Sequence, residues 1–457
     1  MEGFEQYLKS QNDYFLSGQT RSIEVRKSRL KKLADSLDAH QQELLQALQD
    51  DFGKSPFETI ATELLMAKKE ISTTLRNLSK WAKNRRVGGS FLNWPSRNYI
   101  ACEPYGVCLI ISPWNYPFIL AIQPLISALA AGNCVILKPS EHSPNTSGLL
   151  HRIISECFHT DYVRVVIGDA SVAEQLQKLN FDYVFFTGST EIGKKVMEAA
   201  SRHLTPVTLE LGGKSPCLVT QHAELKLAAK RIVWGKLVNA GQTCIAPDYV
   251  LIHESVVQPF LEELVRAIQE MYGSEIRNNP DFPRIIHHGA FNRLVNLMQS
   301  GTIYSGGVHD ASSLYISPTV LTDVRWEMPV MQEEIFGPIL PVLTYNDLHQ
   351  AFNSIRSRPK PLAFYLFSTH RKEQKDVLQF LSFGGACIND TLVHAANPSL
   401  PFGGVGGSGI GSYHGKWGFQ TFSHQKSVLK KATWIDPSIR YPPYRDKVKW
   451  LQKLLRW

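Results

Sequence analysis

Three side chains in this sequence have the types and settings that covalent chemistry on a carbonyl carbon requires. In "VNAGQTCIAPD" (Val238 to Asp248), Cys244 is flanked by Gly241, Gln242, Thr243 and Ala246. Small neighbours leave access to a thiol and let backbone N–H groups approach the sulfur, as a nucleophile needs. A packed cysteine is also a common structural residue, and the segment by itself is open to both readings. Glu210 ends "TPVTLELGG"; it is either a carboxylate placed as a general base or a cap before two glycines. Asn115 stands between Trp114 and Tyr116 with a proline on each side in "SPWNYPF". Its amide either shapes a turn or, held rigidly, donates to an oxyanion.

Other stretches suit an anionic ligand. "FFTGSTEIGKK" (Phe185 to Lys195) ends an apolar run and opens a helical one, with Gly188, Ser189 and Thr190 at the junction. The first N–H groups of a helix are unpaired and favour a phosphate. The spacing is G-x-x-x-x-G rather than G-x-G-x-x-G, so a plain turn fits equally. "LKPSEHSP" brings Lys138 and Glu141 together, to bond sugar hydroxyls or to form a surface pair. No metal site is expected: His287 and His288 are adjacent, and neither H-E-x-x-H nor C-x-x-C occurs.

The elements that must position these residues follow from periodicity. Glu24 to Lys83 reads as a helical layer broken near Gly53 and Pro56. "YGVCLIISP" reads as a buried strand, "FILAIQPLISALAAG" as a helix closed by Gly132, and "NCVILKPS" as a second strand. Strand, helix and strand make a right-handed βαβ unit. The alternation continues through "NTSGLLHRIISECF", "VRVVIG", "SVAEQLQKL", "FDYVFFTGS", "EIGKKVMEAASRHL" and "TPVTLELGG". That is a doubly wound α/β sheet, which binds ligands at the carboxyl ends of its strands. "YVLIHES", "VVQPFLEELVRAIQEMYG" and "PILPVLTY" imply a second α/β domain from about Glu210 to Asp390. In the tail "DKVKWLQKLLRW", Trp450, Leu451, Leu454 and Leu455 share one helical face, with Lys449, Lys453 and Arg456 elsewhere. Docking on protein is expected for such a helix ahead of contact with a membrane.

Composition bounds the class. With 457 residues, 43% hydrophobic and 20% charged, the chain is an ordinary multi-domain globular protein. Its seven cysteines form no paired framework, which points to a reducing compartment. "MEGFEQYLKSQ" has no apolar signal core, so the cytoplasm is the expected location. Phe118 to Ala131 is too short and too interrupted to span a bilayer. The net charge of +8 comes without a zinc-finger or aromatic RNP signature, and no nucleic-acid partner is expected.

Taken in order, "PWNYP", "LKPSE", "FTGSTEIG", "LELGGKSP", "NAGQTCIAPD", "EEIFGP" and "PFGGVGGSG" resemble the NAD(P)-dependent aldehyde dehydrogenases. "YHGKWGFQTFSHQKSVL" and the short N-terminal region look most like the class 3 branch, which includes fatty and aromatic aldehyde dehydrogenases. The resemblance implies an α/β, aldehyde dehydrogenase-like fold: a Rossmann-type cofactor domain, a second α/β catalytic domain and a small β oligomerisation element. It implies a cofactor domain of residues 1–84 and 105–209, a catalytic domain of 210–392 and an oligomerisation element of 85–104 and 412–435. Residues 393–411 would return to the cofactor domain, and 436–457 would form the tail.

By the same resemblance, Cys244 attacks the aldehyde to give a thiohemiacetal, and Asn115 with the Cys244 N–H holds the oxyanion. Glu210 activates the water that hydrolyses the thioester. Lys138 and Glu141 match the positions on the adenosine ribose, Gly188 and Ser189 the pyrophosphate turn, and Glu334 the nicotinamide ribose. Trp114 and Phe336 lie beside the cofactor. Glu141 favours NAD, and NADP is also accepted in that branch. A homodimer is implied. Tyr116, Leu120 and Trp234 are expected to line an apolar funnel for medium-chain, long-chain or aromatic aldehydes. The rival readings are a relative that passes the thioester to coenzyme A, which generally lacks the glutamate at position 210, a glutamyl phosphate kinase or reductase, and a catalytically idle structural or membrane-associated relative.

Overall fold

The computed structural model describes residues 2–90 and 93–454. Its N-terminal layer consists of helices Glu2–Leu16, Ile23–Ala39, Gln41–Phe52 and Leu65–Trp81. The expected break falls where Gly53 takes φ 70° and caps one helix, and where Ser55 and Pro56 start the next short turn. Strands β1 (Arg85–Val87) and β2 (Ser96–Pro104) follow and leave the layer as an antiparallel pair.

The first large sheet is built by β3 (Val107–Ile111), β4 (Cys134–Lys138), β5 (Val163–Val165), β6 (Tyr183–Thr187) and β7 (Val207–Glu210), all mutually parallel. β3, β4 and β6 are buried at every position. Continuous apolar runs of this kind belong to parallel strands covered by helices on both faces. Helix Ile119–Ala131 joins β3 to β4 and is buried along its whole length except at Leu120; Gly132 ends it with φ 100°. The polar side chain of Gln123 inside this helix is satisfied by Glu70 at 3.4 Å.

A second sheet takes β8 (Pro216–Val219), β9 (Tyr249–His253), β10 (Thr302–Ser305), β13 (Thr319–Thr322), β14 (Ile339–Tyr345), β15 (Ala363–Phe367) and β16 (Gly385–Ile388), in the order β10-β13-β14-β9-β8-β15-β16. Only β10 runs antiparallel to its neighbour. A two-stranded ribbon of β11 (His309–Asp310) and β12 (Tyr315–Ile316) sits beside it. β17 (Gly409–Ile410) then returns to the first sheet, pairing antiparallel with β7 so that Gly409 faces Glu210. This completes the order β17-β7-β6-β3-β4-β5. β18 (Ser423–Lys431) pairs with all nine residues of β2, giving a separate three-stranded sheet.

The C-terminal helix is described over Val448–Leu454. The expectation that it packs on protein is not met by its own chain: Val448, Trp450 and Leu451 are 48%, 49% and 50% exposed. An amphipathic pattern specifies a face, not the surface that covers it. Leu455 and Arg456 lie outside the described residues. No helix among the described residues is long and apolar enough to cross a membrane.

Candidate active site

β3, β6 and β7 are neighbours in the first sheet, and the chain leaves their carboxyl ends through Pro113–Asn115, Gly188–Thr190 and Leu211–Lys214. These three exits, with Cys244 and Glu334–Phe336 of the second α/β region, line one cavity of about 1080 Å³. Asn115, Glu210, Cys244, Trp114, Gly188, Ser189, Glu334, Phe336 and Leu120 all border it.

The cysteine is held by an unusual stretch of backbone. Asn239 and Ala240 have φ of 54° and 51°, followed by Gly241 at 76°. A Cβ on Gly241 would lie 2.3 Å from the Gly337 carbonyl oxygen, so only glycine fits there. Left-handed backbone at alanine is costly and persists only where the surroundings over-determine it. Here they do. The Asn239 amide donates to the carbonyls of Asn115 (2.8 Å) and Gln242 (3.1 Å). The Gln242 amide donates to the carbonyls of Asn239 and Arg284, and its oxygen accepts from the Ile286 N–H. The Asn239 N–H donates to Glu58 at 2.8 Å, reaching back to the N-terminal layer. The Asn115 amide donates to the Gln242 carbonyl at 3.1 Å. An amide carries two N–H groups, which leaves one to face the cavity.

Two carboxyl groups on the cavity wall, Glu210 and Glu334, lie close enough to Cys244 to act on it. Both carboxylate oxygens of Glu210 are buried without a hydrogen-bond partner, and that burial holds the carboxyl well above the usual carboxylate range. Burial, with the Asp248 charge nearby, pushes Glu334 up to about 8, against a stabilising hydrogen bond from the Gly213 N–H. Burial and then the charges of Glu334 and Glu210 push the Cys244 thiol up, while the N–H groups of Cys244 and Ile245 pull it down.

Residues that spacing did not single out complete the wall. The Lys214 ammonium lies 2.5 Å from Asp248 and 2.8 Å from each of the Val330 and Glu333 carbonyls. The other Asp248 oxygen accepts from the Ile335 N–H at 3.0 Å. Arg293 donates to the carbonyls of Glu334 (3.2 Å) and Ile335 (2.6 Å). Together they clamp the segment that presents Glu334. Lys214 and Asp248 were within reach of sequence reading, since both lie inside the stretches that carry Glu210 and Cys244; Arg293 carries no local signal.

Four expected site residues sit off this cavity. Lys138 and Glu141 pair at 2.8 Å at the carboxyl end of β4, with the lysine buried and the glutamate exposed. The Tyr116 ring is buried under the Lys54 ammonium (4.2 Å), with its hydroxyl 2.7 Å from the Thr243 hydroxyl. It braces the residue before Cys244. Trp234 lies on helix Leu225–Leu237, 40% exposed to solvent and outside the cavity lining. Leu120 does line it, half-buried where the rest of its helix is buried.

A nicotinamide dinucleotide suits the donor set of this cavity. The unpaired N–H groups at the start of helix Thr190–Ser201 open onto it beside Ser189, as a pyrophosphate requires. The Glu334 carboxylate offers hydrogen-bond acceptors on the cavity wall, and Trp114 and Phe336 form an aromatic wall, their rings edge-to-face at 5.4 Å.

Comparison with known proteins agrees. The chain belongs to the aldehyde dehydrogenase family, whose model matches residues 4–428, and it is an oxidoreductase that converts aldehydes to carboxylic acids with a nicotinamide dinucleotide. It is 46% identical over 458 residues to the 4,4'-diaponeurosporen-aldehyde dehydrogenase of Staphylococcus aureus, covering 100% of both chains. It is 44% identical to the aldehyde dehydrogenase family 3 member B1 of Rattus norvegicus, covering 98% of this chain and 96% of that one. Among solved structures, the substrate-bound Staphylococcus aureus AldH superposes with a TM-score of 0.97 at 46% identity over 99% of each chain. An indole-3-acetaldehyde dehydrogenase in complex with NAD+ gives 0.87 at 26% identity, over 94% of this chain and 89% of the other.

Proposed function

We propose that the protein oxidises apolar aldehydes, of medium or long chain or aromatic, through a thioester on Cys244 that water hydrolyses. The observation that carries this reading is the convergence of the Cys244 thiol, the Asn115 amide and the unpartnered Glu210 carboxyl on one cavity. The Cys244 thiol gives its proton to water as its sulfur bonds the carbonyl carbon and the C=O π pair moves to oxygen, and the free N–H of Asn115 with the Cys244 N–H holds that oxyanion. A dinucleotide held by Glu334, Ser189, Trp114 and Phe336 would supply the two-electron acceptor that takes the aldehyde hydrogen as hydride. Glu210 then takes a proton from water as the water oxygen bonds the acyl carbon, and the carbon–sulfur bond breaks to return the thiol. The names of the relatives support the substrate class: 4,4'-diaponeurosporen-aldehyde in one, and aldehyde dehydrogenase family 3 in the other.

Glu334, Ser189, Gly188, Trp114 and Phe336 are assigned to the dinucleotide. Lys138 and Glu141 are assigned to its adenosine ribose, where a carboxylate bonds a 2′-hydroxyl and repels a 2′-phosphate; NAD is therefore the preferred cofactor and NADP the weaker one. Tyr116, Leu120 and Trp234 are assigned to the substrate side, Trp234 at an outer mouth. A cofactor domain is assigned around the first sheet, a catalytic domain around the second, and a homodimer contact to the three-stranded sheet, whose edge strand β18 is open. The cytoplasm is the assigned location. Hydrolysis is favoured over transfer to coenzyme A because Glu210 is present in the cavity.

The test follows NADH formation from NAD with hexanal or benzaldehyde. The intact protein turns over, Cys244→Ala is inactive, and Glu210→Gln gives a single burst. Turnover by Cys244→Ala sinks the thioester mechanism, and full turnover by Glu210→Gln sinks the assignment of the base.

A further inference from the structure

At the far end of the second sheet from the catalytic cavity, three metal-ligating side chains from two strand exits meet. β8 starts at Pro216 and β15 follows Pro361, both on the cavity wall. Each strand then runs roughly 15 Å away from it, at about 3.3 Å per residue. Beyond β8 the chain reaches His222, and beyond β15 it reaches His370 and Glu373 at the start of helix Arg371–Phe380. The ligand atoms of these three side chains all lie within 4.8 Å of one another.

The geometry points to a divalent transition-metal site of the zinc type at His222, His370 and Glu373, separate from the catalytic centre. Two imidazoles and one carboxylate form a ligand set that zinc accepts with water completing the coordination. With bonds of ~2 Å at tetrahedral angles, such ligand atoms stand about 3.3 Å apart. His222 Nδ1 lies 2.8 Å from Glu373 Oε1, and His370 Nδ1 lies 3.9 Å from the same oxygen. Small rotations of the two exposed histidine rings, whose centroids are 4.9 Å apart, bring all three to that spacing.

The surroundings are already organised as a metal site needs. Glu373 is largely buried, and its other oxygen accepts from the Ser368 hydroxyl at 2.5 Å, which fixes the carboxylate. Support of this kind orients a ligand and raises affinity. The Ser368 hydroxyl also accepts from the His370 N–H at 3.0 Å. Thr369 donates its N–H (3.0 Å) and its hydroxyl (2.7 Å) to the His222 carbonyl, tying the two strand exits together before any ion arrives. Two ligands 148 positions apart in the chain present no spacing motif, which is why the sequence shows no such site. Arg371 and Lys372, next to Glu373, set the affinity below that of a fully closed structural site.

Titration of the full-length protein with Co2+, followed by its visible ligand-field absorption and by melting temperature, tests this. One equivalent binds saturably and shifts the melting temperature upward. His222→Ala, His370→Ala and Glu373→Gln each weaken binding at least about tenfold, whereas Cys244→Ala and His287→Ala bind as the parent does. The two histidines are exposed, so their removal leaves the fold intact, and Glu373→Gln retains an acceptor for Ser368. Absence of saturable binding, binding retained by His370→Ala and Glu373→Gln, or binding lost in Cys244→Ala or His287→Ala overturns the proposal.

Discussion

The side-chain amide of Asn239 donates to the backbone carbonyl of Asn115 at 2.8 Å, so the loop that carries the nucleophile also fixes the residue assigned to the oxyanion. The same side chain holds the Gln242 carbonyl, to which the Asn115 amide itself donates. Nucleophile and oxyanion donor are therefore parts of one hydrogen-bonded unit.

Asn239→Ala removes both donations from a fully buried site, leaving the Asn115 carbonyl without its donor and the Gln242 carbonyl with the Asn115 amide alone. It also places alanine at φ 54°, which asparagine tolerates better. The expected loss is ~1–3 kcal/mol of stability and on the order of 100-fold in kcat, since misplacing a reacting group by an ångström costs that much. Steady-state kinetics and a denaturant melt check both. A variant with kcat unchanged would show that the amide network is structural only.

The principal elements of both sheets were legible in sequence because their parallel strands are uninterrupted apolar runs, and the residues at their exits could be placed as soon as the runs were. Asn115 and Glu210 could be placed for the same reason, whereas Cys244, which follows helix Leu225–Leu237 and not a strand, stood out only by its small neighbours. What joins them could not: the Asn239 N–H meets Glu58 across 181 residues, and the Lys54 ammonium under Tyr116 is paired with Glu63 where both are wholly buried. Nothing in the local pattern of the N-terminal helices tells a buried ion pair from a solvated one. Trp234 lies exposed outside the cavity lining, because closeness in sequence to Cys244 does not fix which face of helix Leu225–Leu237 it occupies.

Glu210 acts as a base only when ionised, and burial keeps its pKa well above the usual range. Hydrolysis of the acyl-enzyme should therefore keep accelerating as pH rises above the ordinary carboxylate range. In Glu210→Gln the residual rate should lose that ionisation. Single-turnover decay of the thioester across pH distinguishes the two. Equal pH dependence in both proteins assigns the ionisation to another group.

The Lys138 ammonium is neutralised by Glu141 at 2.8 Å. Glu141→Gln removes the carboxylate that opposes a 2′-phosphate and frees the lysine to pair with one. The ratio of kcat/KM for NADP over NAD should rise at least about tenfold, equivalent to ~1.4 kcal/mol. An unchanged ratio would place cofactor selection elsewhere on the wall.

Lys236 is the largest electrostatic liability of the second region. Its ammonium is buried with no hydrogen-bond partner among the described residues, and desolvation lowers its pKa to about 8. A base whose folded pKa lies below its unfolded value is destabilising while charged. The penalty is complete below pH 8 and is relieved as pH rises from there toward 10.5, the ordinary value. Lys236→Met keeps the length of the side chain and removes the charge. It should therefore stabilise the protein by ~1–3 kcal/mol at pH 7, and the gain should shrink above pH 8. Denaturant melts of the two proteins at pH 7 and pH 9.5 measure this, taking both values as roughly one pKa interval either side of the transition. A variant that is less stable than the parent at pH 7 would mean that the ammonium is stabilised by Asp248 and Glu334, the acidic groups nearest it, by more than burial costs it.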